Sequence, residues 1–212
     1  MKITKYEHAC LGIEEEGKRL LIDPGVFTSS LKDFSNVAGV VVTHMHKDHL
    51  DVEKLVAIVE QNPDVDIYTV QAAADEIKGR VPVKVVSGGD HGNAGPFTLD
   101  FYGGKHAVIH SSIPPTDNIG VLVNKTLYYP GDSFSVPDQP VVVLAAPVSA
   151  PWMKLSEAMD FVTTIKPKYV FPTHNAILSD IGKGINNPLL QASTESVGAT
   201  YSPLQSGESL SV

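Results

Sequence analysis

The chain has one cysteine, no long apolar run and few basic residues, and each of these absences excludes a class of protein. A single cysteine, Cys10, rules out an internal disulfide and suits a reducing compartment, so we expect a cytoplasmic protein in which Cys10 is a small buried side chain. No stretch approaches the roughly 18 consecutive apolar residues of a membrane span. The first residues, Met1–Tyr6, lack the apolar core of a signal peptide and enter a strand pattern directly.

The charge is acidic, with 24 Asp and Glu residues against 16 Lys and Arg residues and a formal net charge of −8. A protein surface that coats nucleic acid is basic, so nucleic acid is not an expected partner. The negative net charge is still compatible with a small anionic substrate, provided that it binds in a pocket made positive by metal ions. The 212 residues are 42% apolar and contain no repeat or linker, which predicts one domain over residues 1–212. A homo-oligomer remains open.

The sequence does contain a cluster of metal-capable side chains at the end of one predicted strand. Ala38–Val42 is a nearly unbroken apolar run, typical of a strand buried on both faces. Asp51 is placed to cap the helix that follows. Between the two lie four potential ligands: His44, His46, Asp48 and His49. Because α/β proteins place their chemistry at the carboxyl ends of strands, we expect the functional site here.

The spacing within this cluster predicts two ions. His44 and His46 are two residues apart, so in extended backbone their side chains leave on the same side and can bind one ion. Asp48 and His49 are adjacent where the chain turns into the helix, so they point elsewhere and can serve a second ion. Imidazole and carboxylate are ligands of zinc, manganese or iron rather than of calcium or magnesium. The alternative is a solvated loop with chance histidines, which the position directly after a buried strand disfavours.

Other predicted strand ends supply further candidates. Asp132 follows the strand Thr126–Tyr129 on a tight glycine turn, and His174 ends the strand that begins at Lys168. Two more predicted strands, residues 97–102 and 105–110, flank a double glycine and offer His106 and His110. These two histidines would lie about 13 Å apart at about 3.3 Å per residue, so without a bulge only one of them can bind a given ion.

The motif His44-Met-His46-Lys-Asp48-His49 resembles the signature of the metallo-β-lactamase-fold hydrolases. Leu20-Leu-Ile-Asp23-Pro-Gly25 and Pro130-Gly131-Asp132-Ser133 are similar to the ascorbate-6-phosphate-lactonase-like branch of that family. The resemblance extends from Ile3 to His174. It implies an α/β (α+β) fold, a four-layer αββα sandwich with the site along one edge between two related halves.

The resemblance also implies a ligand set. His106 rather than His110 matches the third ligand of the first ion, Asp132 matches a bridging carboxylate, and Asp23 matches an aspartate beside the metal site. His110 and Trp152 remain possible pocket residues, although Trp152 could equally cover the core. The implied set is His44, His46 and His106 on one ion, Asp48, His49 and His174 on the other, and Asp132 on both.

The implied activity is hydrolysis of a small anionic ester, lactone or phosphodiester by a hydroxide held between two ions, zinc first and manganese or iron as alternatives. Asp48 would orient that hydroxide, and Asp132 would fix the distance between the ions. Two divalent ions against these two carboxylates and a hydroxide leave about one positive charge, which suits an anionic group. The alternatives are an iron-dependent redox enzyme on the same fold, of thiol dioxygenase or oxygen reductase type, and a nuclease.

Three parts of the sequence have no predicted role in this chemistry. His8 is interpreted as a core histidine in preference to a pocket wall, and His91 as a loop histidine. The tail after Leu178 contains one helix-like piece near Pro188–Thr194 and a possible final strand.

Overall fold

Two seven-stranded sheets form the centre of the computed structural model, which describes residues 1–212. The first sheet contains Lys2–Lys5 (β1), Leu11–Glu15 (β2), Lys18–Ile22 (β3), Val37–Val42 (β4), Asp66–Thr69 (β5), Lys84–Val85 (β6) and Ser209–Ser211 (β14). The second contains His91–Ala94 (β7), Phe97–Lys105 (β8), Asp117–Val123 (β9), Leu127–Tyr129 (β10), Val143–Pro147 (β11), Tyr169–Thr173 (β12) and Thr200–Tyr201 (β13). The helices are Val52–Gln61 (α1), Gln71–Ile77 (α2), Leu155–Ile165 (α3) and Asp180–Ser196 (α4).

The two sheets repeat one plan. In the first, β14, β1, β2 and β3 pair antiparallel, and β4, β5 and β6 then add in parallel order. In the second, β7, β8, β9 and β10 pair antiparallel, and β11, β12 and β13 add in parallel order. Parallel pairs need crossover connections, which α1 supplies between β4 and β5 and α3 between β11 and β12. By this plan β4 is equivalent to β11, and β5 is equivalent to β12.

The central strands of the second sheet, β9 to β12, are buried on both faces. Along β9, Val121 and Val123 pack into a core shared with the first sheet, whereas Leu122 packs into a second core formed with α3 and α4. In β12, likewise, Phe171 packs into the core shared with the first sheet and Val170 into the second core. This alternation follows from the two-residue period of a strand and explains the continuous apolar runs in the sequence. The predicted four-layer sandwich is confirmed.

Helix α1 begins where the sequence predicted. The Asp51 side chain accepts hydrogen bonds from the backbone N–H groups of Glu53 and Lys54, which satisfies two of the donors that a helix start leaves free. Leu55 and Ile58 are buried in the core of the first sheet. None of the four helices has the length and apolar character needed to cross a membrane.

Two predictions of local structure were wrong. Residues 97–105 form one continuous strand in which Gly103 adopts a φ of +84°, and residues 106–110 are not a strand. A glycine can take this left-handed conformation within the ladder, so the double glycine does not turn the chain back. His91, interpreted as a loop histidine, lies instead at the start of a strand, β7, which pairs with β8.

The tail was also underestimated, because α4 extends over 17 residues and not only around Pro188. Glycine and proline lower the helix propensity of its first half. Ser179 nevertheless caps the helix by accepting from the Gly182 N–H, and packing on α3 buries Leu190. Tertiary packing therefore overrides the local signal. The possible final strand is confirmed as β14, which pairs with β1.

Candidate metal centre

The structure gathers the metal-capable side chains into two adjoining clusters at the edge between the sheets. Within each cluster the potential ligand atoms all lie within 4.8 Å of one another. The first cluster consists of His44, His46, His106 and Asp132. The second cluster consists of His8, Asp48, His49 and His174. All seven predicted ligands thus lie in these two clusters, and the second contains one histidine more than predicted.

Asp132 lies between the clusters. Its Oδ1 atom is 3.2 Å from His49 Nε2 of the second cluster. Its Oδ2 atom is 3.3 Å from His174 Nε2 of the second cluster and 3.4 Å from His106 Nε2 of the first. One carboxylate thus contacts imidazoles of both clusters, which is the position that a bridging ligand requires.

Asp23 orients the end of β4. Its carboxylate accepts hydrogen bonds from the backbone N–H and the hydroxyl of Thr43, both at 2.7 Å. It also lies 2.6 Å from His49 Nδ1. Because the carboxylate accepts from Nδ1, the Nε2 atom of His49 faces Asp132 and is the atom that can bind an ion once its proton is lost. Asp23 therefore acts beside the site, as an outer partner that fixes a candidate ligand.

Two glycines allow the loops of the site to approach one another. A Cβ on Gly25 would overlap the carbonyl group of Asp48, so the Asp23-Pro-Gly turn and the histidine loop can pack only with glycine there. Gly131 has a φ of +62°, and a Cβ there would lie 2.9 Å from the side chain of Thr43. The motifs that resemble one family branch are therefore places of close backbone contact.

The remaining imidazoles are fixed through Nδ1. The Nδ1 atom of His106 lies 2.6 Å from the carbonyl of Ala107, and that of His174 lies 2.5 Å from the carbonyl of Ser149. A carbonyl only accepts, so each Nδ1 carries a proton and Nε2 is the atom through which each imidazole, in its neutral form, can bind an ion.

Five buried nitrogen and oxygen atoms of the two clusters make no hydrogen bond. One is His8 Nδ1, and the other four lie near one another around Asp132: His49 Nε2, His106 Nε2, His174 Nε2 and Asp132 Oδ1. Buried polar atoms are rarely left unpaired in a protein interior. Divalent transition-metal ions bound by these nitrogen and oxygen donors would satisfy all four. The donor set therefore fits such ions, because it combines imidazole nitrogen with carboxylate oxygen and contains no thiolate.

The electrostatics of the two clusters differ. Burial lowers the pKa of His44 well below its usual range, and burial and then His106 lower that of His46. Burial also lowers the pKa values of His49 and His174, but the neighbouring carboxylates, Asp132 above all, have the larger and opposite effect. They raise the pKa of His49 well above its usual range and that of His174 to about 9. The carboxylates of the centre thus require a positive neighbour.

The pKa of Asp132 shows the same requirement from the other side. Burial by itself raises a carboxyl pKa, because it penalises the charged form. The imidazoles of His49, His106 and His174 nevertheless hold the pKa of Asp132 well below its usual range. A buried carboxylate that stays ionised among imidazoles is a typical feature of a functional site.

Three residues of the centre have left-handed backbone. The φ angles are +58° at His8, +47° at Asp23 and +59° at His174. Such a conformation is unfavourable for residues other than glycine and concentrates at functional sites. The His174 N–H donates to the His8 carbonyl at 2.8 Å, which holds two of these strained positions together.

The interpretation of His8 as a core histidine was wrong. Its Nε2 atom lies 3.0 Å from Asp48 Oδ2, and its ring centroid is 3.9 Å from that of His174. His8 lies in the turn between β1 and β2, where glycine, asparagine or aspartate would be usual. A histidine in such a turn was the available signal, but the sequence gives no sign that Asp48, forty positions away, packs against it.

The structure also places the possible pocket residues. Trp152 is buried, and its Nε1–H donates to Asp132 Oδ2 at 2.7 Å, so it is a wall of the centre and not only a cover of the core. His110 is exposed and hydrogen-bonds with Ser112 at 2.7 Å, outside both clusters. His91 is exposed and pairs with Asp100, as a loop or edge histidine would.

His46 is the half-buried member of the first cluster and marks the approach from solvent. A small pocket of about 30 Å³ lies between His46 and His106 and is closed by a proline-rich loop, residues 113–116. On its other side His46 borders an open groove of about 660 Å³ whose walls include Met45 and Leu50. A small molecule can therefore reach the clusters beside His46.

A sandwich of two mixed sheets with outer helices and a histidine–carboxylate centre at one edge defines the metallo-β-lactamase class of proteins. The comparison with known families agrees. The family described as the beta-lactamase superfamily domain matches residues 2–174, and the chain belongs to this superfamily. The ascorbate-6-phosphate-lactonase-like branch stays a prediction.

Relatives of similar length are found among known protein sequences and solved structures. Protein Rv0786c of Mycobacterium tuberculosis is 37% identical over 190 residues, which cover 87% of this chain and 89% of that protein. A UPF0173 metal-dependent hydrolase of Carboxydothermus hydrogenoformans is 27% identical over 205 residues, covering 86% of this chain and 90% of the relative. Igni18, a metallo hydrolase from Ignicoccus hospitalis, superposes with a TM-score of 0.76 at 18% identity and covers 99% of this chain and 97% of that one. The last similarity supports the fold alone.

Proposed function

We propose that the chain, as one domain over residues 1–212, is a metal-dependent hydrolase that holds two divalent transition-metal ions, zinc first and manganese or iron as alternatives. The first ion would be held by His44, His46 and His106. The second would be held by Asp48, His49 and His174, with Asp132 shared by both. The observation that carries this proposal is the set of four buried, unpartnered donor atoms that converge between the clusters.

When bound, such ions supply Lewis-acid polarisation of a scissile carbonyl or phosphoryl group and a hydroxide nucleophile near neutral pH. The residues of the chain supply the geometry. Asp132 sets the separation of the two halves of the centre, and the Trp152 N–H fixes one of its oxygens. The Asp48 carboxylate lies 3.2 Å from His174 Nε2 and is partly exposed, and it is placed to orient the hydroxide.

The proposed substrate is a small molecule with an anionic ester, lactone or phosphodiester group. The narrow pocket beside His106 supports a small reacting group, because its volume is only about 30 Å³. The choice of an anionic group rests on the charge of the centre: two divalent ions exceed the charge of Asp48 and Asp132 even with a hydroxide present. The relatives named as metal-dependent hydrolases support the reaction class.

The proposal is tested by a hydrolysis screen of lactones, phosphodiesters, esters and thioesters with protein reconstituted with zinc, manganese or iron. We expect at least one substrate class to be turned over, and we expect chelation to abolish turnover and added metal to restore it. His91→Ala is a matched control because His91 is an exposed histidine outside both clusters. Turnover that chelation leaves intact would contradict the proposal.

An iron-dependent redox enzyme is the second candidate. CmlA, a diiron β-hydroxylase from Streptomyces venezuelae, superposes with a TM-score of 0.75 at 14% identity, covering 100% of this chain and 54% of that one. That similarity supports a common fold, and the imidazole and carboxylate donors suit iron as well as zinc. The metal in natively purified protein separates the two candidates: iron with oxygen consumption favours redox chemistry, and zinc favours hydrolysis.

A further inference from the structure

The outward face of α4 carries large apolar side chains that face solvent. Ile181 is 78% exposed, Ile185 is 59% exposed and Leu189 is 45% exposed. These residues are four positions apart, so they form one raised row along the helix. Scattered exposed apolar residues are ordinary, but a continuous row on one helix is typical of an interaction surface.

A second row of small residues lies beside the first. Gly184, Pro188 and Ala192 are also four positions apart, and all three are exposed. A Cβ on Gly184 would meet no atom within 4 Å. A furrow therefore runs along the raised row, and neither row contains a charged residue. We call these six residues, Ile181, Gly184, Ile185, Pro188, Leu189 and Ala192, the α4 face.

The opposite side of α4 is firmly attached, so the helix cannot rotate to bury the α4 face. Leu190 is buried in the core that α4 shares with α3. The Ser193 hydroxyl donates to the Met159 carbonyl at 3.2 Å, and the Asn186 amide donates to the Val148 carbonyl at 2.9 Å. The exposure of the apolar rows is therefore fixed by contacts within the chain.

The helix contains the residue types that stabilise a helix least. Glycine and proline rank lowest in helix propensity, and α4 has Gly182, Gly184 and Pro188. Gly182 is explained by packing, since a Cβ there would lie 3.2 Å from Leu178. Gly184 and Pro188 have no such explanation within the chain. Small residues on an exposed helix face allow a second helix to approach closely.

We propose that the α4 face binds the α4 face of a second copy of this chain and forms a two-fold symmetric dimer. The surface is complementary to itself, because the raised row of one copy can occupy the furrow of the other. Rows with a spacing of four residues that interdigitate in this way give the commonest helix crossing, at about −50°. A two-fold interface uses the same patch on both partners, which this arrangement satisfies.

The area agrees with a dimer. Ile177, in the turn before α4, is 54% exposed and adds to the apolar surface. With the three side chains of the raised row it provides on the order of 400 Å², about half of what each partner buries in a standard interface. In the proposed dimer the furrow and the polar residues around it would supply the remainder.

A membrane surface fits the α4 face less well. Helices that lie on membranes carry several Lys or Arg residues on the polar side. The only basic residue of α4 is Lys183, against Asp180 and Glu195, and the chain has a net charge of −8. An anionic lipid surface would repel such a protein, whereas two copies meeting through an uncharged patch avoid this cost.

The proposal is tested by sedimentation velocity of the metal-loaded protein, residues 1–212, between about 1 and about 200 µM. We expect wild type to form a dimer and Ile185→Asp to raise the dissociation constant by about 100-fold or more. Val85→Asp is the matched control, because Val85 is also an exposed apolar residue, at 47%, but lies in β6 of the first sheet and outside the α4 face. The dissociation constant of the Val85→Asp variant should equal that of wild type. Circular dichroism confirms that each variant is folded.

Ala192→Leu distinguishes a dimer with interdigitated rows from nonspecific association of two apolar surfaces. The substitution makes the α4 face more apolar and keeps a good helix former, but it fills the furrow. Interdigitation predicts a dissociation constant raised by about 10-fold, whereas simple adhesion predicts tighter association. Three results would overturn the proposal: a monomeric wild type at the highest concentration, a dimer unaffected by Ile185→Asp, or binding to phosphatidylglycerol vesicles that Ile185→Asp abolishes.

Discussion

The first and second clusters are built from similar residues but in different environments. The first presents imidazoles whose pKa values are lowered by burial, with His46 open to the approach. The second surrounds Asp48 with three buried imidazoles, and the pKa values of His49 and His174 are raised by carboxylates. One half of the centre is therefore ready to bind a cation in its neutral form, whereas the other must first lose protons.

The difference shows what joins the clusters. Asp132 contacts imidazoles of both and is the only carboxylate of the first cluster. Without it the first cluster would consist of imidazoles alone, and the two halves would have no shared charge. The following predictions separate or distinguish the clusters, beginning with the largest effect.

Asp132→Asn removes the shared charge but keeps the shape. We expect a rate loss of about 1,000-fold or more with a near-native circular dichroism spectrum, because in the proposed two-ion centre metal activation would lower the barrier by several kcal/mol. Asp138→Asn is the matched control, since Asp138 is exposed in the same connection between strands. A near-normal rate in Asp132→Asn would favour a single-ion site at His44, His46 and His106.

His106→Ala removes one donor from the first cluster only. We expect the loss of one ion per chain and of most activity, while the second cluster remains occupied. His110→Ala should leave the metal content unchanged, because His110 lies outside both clusters and hydrogen-bonds with Ser112. Elemental analysis and the hydrolysis rate measure both variants, and the reverse pattern would mean that the ligand was assigned to the wrong histidine.

His8→Ala tests the histidine that the sequence did not identify. Loss of its contact with Asp48 Oδ2 should weaken metal binding by the second cluster about 10- to 100-fold and leave the first cluster unchanged. Competition with a chromophoric chelator resolves the two affinities. An equal effect on both ions would show that His8 supports the fold and not the second cluster specifically.

Metal binding should release protons at pH 7, mainly from the second cluster. The pKa of His174 is raised to about 9 and that of His49 is raised well above its usual range, so both are protonated before the ion binds. We expect about two protons released per chain at pH 7 and fewer as the pH rises through about 9. Acid should therefore weaken binding. Calorimetry in buffers of different ionisation enthalpy measures the release, and a value near zero would contradict the assignment.

The sequence predicted what depends on local pattern. The strand before His44, the cap at Asp51 and the burial of Cys10 as a free thiol follow from burial, capping and composition. The fold class followed from the resemblance of a few motifs. These features need no knowledge of what lies across the fold.

Features that depend on distant contacts were not predictable. The role of His8 arises from a carboxylate on another strand end, and the position of Trp152 from a bond to Asp132. The length of α4 is decided by packing on α3 against an unfavourable composition. In each case the deciding interaction joins segments that the sequence does not relate.

The most direct test of the central claim is the metal content of the protein after reconstitution with zinc and removal of free ion. A shared carboxylate between two clusters predicts about two ions per chain in wild type, with chelation lowering the melting temperature and zinc restoring it. One ion per chain would contradict the two-ion centre, and no transition metal at all would contradict the metal-dependent function.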